Sequence, residues 1–181
     1  MDRIRPQVDH REPRVSRSGG SRFLVAVLLL GLVACRSPRA LAPSFESDEA
    51  LARAVLDGLA RRDYERLLAL SVSKEEFAEL VWPTLPASRP DVGMPMHYVW
   101  QDSFTKSRGF LAQTIEAFGG QPLTLVRVGF SGRQTEHKTV TIARKSYLVV
   151  KDGQGQERQI RVFGSVIRQN GRSKVYSYII D

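Results

Sequence analysis

Apolar and polar positions follow different rhythms in successive parts of the chain. Phe23 to Ala34, FLVAVLLLGLVA, is an unbroken run of twelve apolar or glycine residues. From Ser47 the apolar residues recur about every four positions. Leu51, Val55 and Leu59, with Ala54 and Leu56 beside them, predict one amphipathic helix. Ser47 offers a hydroxyl cap, and Asp48 and Glu49 place negative charge beside the first-turn N–H groups. Gly58 weakens the end of this helix. A second, short helix starts near Asp63 with Tyr64, Leu67, Leu68 and Leu70 on its apolar side. Ser73-Lys74-Glu75-Glu76 has the serine-to-glutamate spacing of a capping box. It opens a third helical piece with Phe77, Leu80 and Val81, which Trp82-Pro83 closes.

Pro83 to Pro95 holds four prolines in thirteen residues. A loop of this length inside a domain acts either as a lid or binding loop or as a stiff connector over a helix. Pro95 suits the first turn of a long helix, Met96 to Phe118, carrying Met96, Val99, Trp100, Phe110, Leu111, Ile115 and Phe118 before Gly119-Gly120 stops it.

From Leu123 the period falls to two. Thr124, Val126, Val128 and Phe130 alternate against Leu125 and Arg127 in a first strand. His137 to Val150 is a long second strand, Gln156 to Ile167 a third and Lys174 to Ile180 a fourth. Asp152-Gly153-Gln154-Gly155 and Asn170-Gly171 mark hairpin turns. On the last strand Tyr176, Tyr178 and Ile180 are expected on one face, Val175 and Ile179 on the other.

The opening 22 residues change the meaning of the apolar run behind them. Arg3, Arg5, Arg11, Arg14, Arg17 and Arg22 precede it, which is the order of a secretory signal. A membrane-crossing helix needs about 20 apolar residues, and this run has twelve. Its end, Leu32-Val33-Ala34-Cys35, resembles the lipobox of bacterial lipoproteins. That resemblance implies cleavage before Cys35 and a diacylglycerol on its sulfur, hence an exported protein held to the membrane by lipid. Arg36 follows the cysteine. The aspartate that often retains such proteins at the inner membrane is absent, which favours the outer membrane where one exists. The expected organisation is a signal peptide at 1–34, the lipidated cysteine and a tether at 35–46, and a single α+β domain at 47–181.

Cleavage would leave 147 of the 181 residues, enough to bury a core without disulfides or metal. Cys35 is the only cysteine, so no disulfide is available. Of 27 basic and 19 acidic residues, the leader holds six arginines against Asp2, Asp9 and Glu12, leaving 21 against 16. That surplus is modest and spread out. It reads as a solvated surface or as weak attraction to anionic lipid or glycan, and nucleic acid is a poor partner for an exported chain.

Helices first, then an antiparallel meander, is an α+β order. With one long helix and a curved four-stranded meander, Ser47 to Asp181 resembles the nuclear transport factor 2-like superfamily, which includes ketosteroid isomerase and scytalone dehydratase. Ala60-Arg61-Arg62-Asp63-Tyr64 is similar to the turn after that family's first helix. A cystatin-like fold is the alternative. The resemblance implies a cone-shaped cavity between sheet and long helix, where enzymes of the family place a general base, although none of their aspartate–tyrosine or histidine–aspartate arrangements maps onto this sequence.

Candidate chemistry lies on the second strand. If alternation holds, Arg144 and Ser146 share a side with Val140, Ile142, Leu148 and Val150. With Tyr176, Tyr178 and Trp100 they would then form a pocket for an acidic ligand. A β-bulge near Ala143 would instead turn Arg144 to solvent. His97 is read as a surface or half-buried histidine, His137 and Asp102 as surface groups, and Trp82 and Trp100 as core-packing residues. No histidine–carboxylate spacing suggests a metal, and no cofactor motif is present. The function expected is a non-catalytic module binding a small anionic ligand or an envelope protein. An acid–base isomerase or dehydratase working in the cone is the alternative.

Overall fold

The computed structural model describes residues 39–180, so the apolar run and Cys35 lie outside the described residues. The fold is α+β, with helices packed on two antiparallel sheets. Helix α1, Asp48–Ala60, starts where Ser47 Oγ accepts the Ala50 N–H at 3.1 Å. Helix α2, Tyr64–Ala69, starts where Asp63 accepts the Arg66 N–H at 3.0 Å. Gly58 is buried, and a Cβ there would lie 2.7 Å from Leu67 Cδ2, so the glycine lets α2 close onto α1. The capping box forms at Ser73 and Glu76 and opens α3, Lys74–Glu76, which widens into a π-helical turn over Phe77–Val81. Short 3-10 turns follow at Trp82–Thr84 and Pro86–Ser88, and α4 runs over Met96–Phe118.

The strands differ from the expected single four-stranded sheet. Seven are present among the described residues: β1 Thr124–Phe130, β2 Gln134–Glu136, β3 Thr141–Arg144, β4 Ser146–Lys151, β5 Glu157–Ile160, β6 Ser165–Gln169 and β7 Arg172–Ser177. They form a three-stranded sheet, β1-β4-β5, and a four-stranded sheet, β2-β3-β6-β7. The first expected strand forms whole as β1, whereas the second and third are each broken in the middle, with their halves in different sheets. The breaks lie side by side. Lys145 takes a left-handed conformation (φ 53°), which ends one extended run and begins another. Gly132 sits where a Cβ would meet the Arg144 backbone at 2.9 Å. Hydrogen bonds carry the pairing through the bend: Ser131 N–H to Lys145 O at 3.0 Å, Ser146 N–H to Gly164 O at 3.1 Å and Gly164 N–H to Ser177 O at 2.9 Å.

Two irregularities re-aim side chains. The β1–β4 register shifts between Leu125 and Arg127, so Val126 is exposed while Leu125, Val128 and Phe130 pack against the core. The expected alternation through Val126 therefore fails at a bulge. A second shift leaves Tyr176 as the extra residue between the Val166–Val175 and Ser165–Ser177 pairs.

The core has two parts. Leu51, Val55, Leu59, Leu67, Leu111, Leu148, Val150, Phe163 and Tyr178 fill one, shared by α1, α2, α4 and the three-stranded sheet. Leu41, Val72, Phe77, Leu80, Val81, Val140, Ile142 and Ile167 fill the other, against the four-stranded sheet.

The stretch expected to be a tether is docked from Arg39 onward. Leu41 is buried, and its N–H donates to Gln169 at 3.1 Å. Phe45 and Ser173 exchange backbone hydrogen bonds at 2.9 and 2.7 Å. Val72 and Val175 extend the same strand edge, because the Val72 N–H donates to Val175 O at 2.9 Å. These short bridges cover the edge of β7 that β6 leaves open, and so satisfy its backbone groups.

Candidate functional site

A pocket of about 220 Å³ opens between α4, the π-helical turn and the four-stranded sheet. Its sheet side carries a polar row. Arg144 on β3 pairs with Ser165 on β6, and Ser165 pairs with Ser177 on β7. Residues directly opposite on neighbouring strands have adjacent side chains, and all three line the pocket. The bulge at Tyr176 brings the phenol to the same lining. Burial pushes that phenol's pKa up, an effect the Arg144 charge opposes.

The opposite wall is aromatic. Trp100 and Phe104 lie one turn apart on α4 and stack at 5.2 Å and 20°, and Phe77 meets Trp100 at 5.4 Å. The Arg108 guanidinium lies 5.8 Å from the Phe104 ring and 5.9 Å from Tyr64, to whose hydroxyl it donates at 2.8 Å. The remaining polar lining is hydroxyl. Ser107 Oγ accepts the Tyr178 N–H at 3.0 Å, and Ser177 Oγ accepts the Ile179 N–H at 3.0 Å. Each of these hydroxyls keeps its own proton to donate.

Arg144 is exposed at the pocket rim, and no hydrogen bond or ion pair to its guanidinium occurs among the described residues. Water reaches it, so the charge stands without a counter-ion at little desolvation cost. Arg144 borders the pocket while open to water, and the β3–β6 register runs unshifted through Ala143, so the bulge expected there does not form; the chain instead breaks at the end of β3. That break lies at Lys145, one residue beyond Arg144.

The structure brings Arg144, Tyr176 and Trp100 together and separates the other two expected residues. Ser146 is buried beyond the bend and donates to Phe163 O. Tyr178 is fully buried in the other half of the core, where its hydroxyl donates to Leu67 O at 2.6 Å. Burial pushes its pKa far up. Sequence reasoning missed Ser165 and Ser177. Strict alternation could not find them, because the register shift that aligns Ser177 with Ser165 leaves no mark in the residue pattern.

His137, expected at the surface, is half-buried, and its Nε2 is a buried atom without a partner. Burial lowers its pKa first, and the positive charge of Arg144 lowers it further. His97 is exposed and stacks on Tyr98, and Asp102 pairs with Lys106 at 2.7 Å on the open face of α4. Among the described residues no group of three or more His, Cys, Asp or Glu is placed to hold a metal. No helix among them is long and apolar enough to cross a membrane. No family model, no curated protein and no solved structure matches this chain.

Proposed function

We propose that this chain is a lipid-anchored ligand-binding module of the cell envelope. Cys35 carries the anchor, and a nuclear transport factor 2-like domain holds a small anionic ligand in the Arg144 pocket. The observation that carries the binding reading is the guanidinium without a counter-ion, at the rim of a pocket faced by Trp100, Phe104 and Tyr176. A cation beside apolar walls attracts an anion whose body can replace water on those walls. Acid–base catalysis would need a titratable group poised near neutrality in the pocket. Among the described residues the lining includes neither carboxylate nor histidine, and burial drives the Tyr176 phenol away from neutrality. Binding is therefore proposed in preference to catalysis. The family assignment is supported by the order of elements and by a strongly bent antiparallel meander facing one 23-residue helix.

The binding reading is tested by denaturant melts of the wild type and Arg144→Ala, with and without small organic anions. An exposed arginine without an ion pair should change stability by no more than about 0.5 kcal/mol when removed. Anions should raise the wild-type midpoint and leave that of Arg144→Ala unmoved. Equal responses in the two proteins would remove Arg144 from the site.

The anchor is tested separately. Cys35→Ser should leave the precursor uncleaved or release the protein from the membrane fraction. An unmodified Cys35 within an intact N-terminus, seen by mass spectrometry of the native protein, would end the lipoprotein reading.

A further inference from the structure

The pocket's charge, polarity and size together narrow the ligand. We infer that it takes a monocarboxylate with a small apolar body. This narrowing rests on the binding reading above.

The charge comes first. Among the described residues Arg144 is the only cationic side chain in the lining. One guanidinium neutralises one negative charge, and its planar fork matches the two oxygens of a carboxylate. A phosphate monoester carries up to two charges, and the second would face only hydroxyls. Those hydroxyls suit the remaining lone pairs of a carboxylate. Ser165 and Ser177 follow Arg144 in register across three strands, and the Ser177 hydroxyl keeps its proton because its oxygen is occupied by the Ile179 N–H. The anion is thus received along one line of the sheet, with the charge at the rim end.

Polarity comes from the facing wall. Trp100 and Phe104 stack on each other, 20° apart, and Phe77 is tilted against Trp100, so this side of the pocket is apolar. An apolar body displaces water from such a wall and adds to the contact made by the charge. Size then sets the upper limit. About 220 Å³ is below the roughly 300–1,000 Å³ of sites for drug-sized molecules, so the body is small.

The experiment uses the full-length chain in detergent and three probes that share one ring system: 1-naphthoate, 1-naphthamide and 1-naphthyl phosphate. Isothermal titration should give the carboxylate an affinity about tenfold or more above the neutral amide, as expected for a charge-assisted contact. It should also exceed the phosphate. Arg144→Gln should reduce naphthoate to the level of the amide and leave amide binding unchanged, which also reports an intact pocket. Arg144→Lys should recover only part of the loss, because the charge returns without the fork.

The alternatives separate cleanly. Acid and amide binding alike would overturn the carboxylate inference while the pocket stands as an apolar site. Tighter binding of naphthyl phosphate would assign the site to a phosphoryl ligand instead. Binding of acetate as strongly as naphthoate would remove the apolar body from the inference. Failure of every probe would overturn this inference and, together with an absent anion response in the melts, the binding reading as well.

Discussion

Lys174→Met is expected to lower the free energy of unfolding by about 3–5 kcal/mol. Lys174 and Glu76 are 1 % and 3 % exposed, and their side chains form a buried ion pair at 2.8 and 3.0 Å. The pair is embedded in further bonds. Lys174 Nζ donates to Ala42 O at 2.7 Å, and Glu76 accepts the N–H groups of Ala42 at 2.8 Å and Ser73 at 2.7 Å. One ion pair thus ties together the start of α3, the strand β7 and the docked stretch before α1. Methionine keeps most of the lysine's volume but leaves the Glu76 carboxylate in a dry site with only two neutral donors. The loss comes from that unpaired charge more than from the attraction removed. The double variant Glu76→Met/Lys174→Met should therefore be less damaging than the two single losses added together. Urea unfolding of the four proteins of this cycle measures the coupling. In Lys174→Met, amide exchange should also quicken at Ala42, whose carbonyl loses its ammonium partner. A single-variant loss under about 1 kcal/mol would mean that water reaches the pair and that it contributes no more than a surface bridge.

The same pair marks where sequence legibility ended. Ser73 and Glu76 announce a capping box by spacing alone, and the box forms. Nothing local announces that Glu76 has a second task with a lysine 98 residues away, or that residues 39–46 are held by it. Local signals of this kind, the cap at Ser47, the helix start near Asp63 and the turns at 152–155 and 170–171, are written in a few neighbouring residues and could be read. The α+β class was legible for the same reason, since the change of apolar period is a local property. What could not be read was where extended chain bends. His137 to Val150 looks like one strand because Lys145 carries no glycine or proline to flag its left-handed backbone. The break there sends Ser146 to Phe163 and leaves Arg144 at the pocket, so an alternation argument that joined the two residues was bound to separate. The split of Tyr176 from Tyr178 has a similar origin, a bulge set by register with β6 and by the end of β7 at Ser177. Arg144, Tyr176 and Trp100 do line one pocket, and the interrupted apolar face and nearby aromatics that singled them out are visible without knowing the register.

Gly164→Ala is expected to be the most damaging of the small substitutions, with a loss of about 3 kcal/mol together with the pocket. Gly164 lies at the bend between β5 and β6, where its N–H donates to Ser177 O and its carbonyl accepts from Ser146. A Cβ at this position would sit 1.6 Å from Ile179 O and 2.8 Å from Ile179 C. Those are backbone atoms, so no side-chain rotation relieves the overlap. The segment 177–180 must move as a whole, and it carries two lining residues, Ser177 and Ile179. It also carries Tyr178, whose N–H is held by Ser107 Oγ and whose hydroxyl is held by Leu67 O. Displacement would break both bonds and leave a buried phenol without a partner, a further cost of about 1–3 kcal/mol. Gly109 is the matched control. It lies within α4 with nothing within 4 Å of a Cβ, so Gly109→Ala should stabilise by roughly 0.5–1 kcal/mol through helix propensity alone. Thermal or urea melts of the two variants, followed by titration with 1-naphthoate, should separate them in opposite directions: Gly109→Ala more stable with unchanged binding, Gly164→Ala less stable with binding lost. If Gly164→Ala instead matched the wild type in both measurements, the C-terminal segment would not be seated against the bend, and the pocket would lose the wall that Ser177 and Ile179 provide.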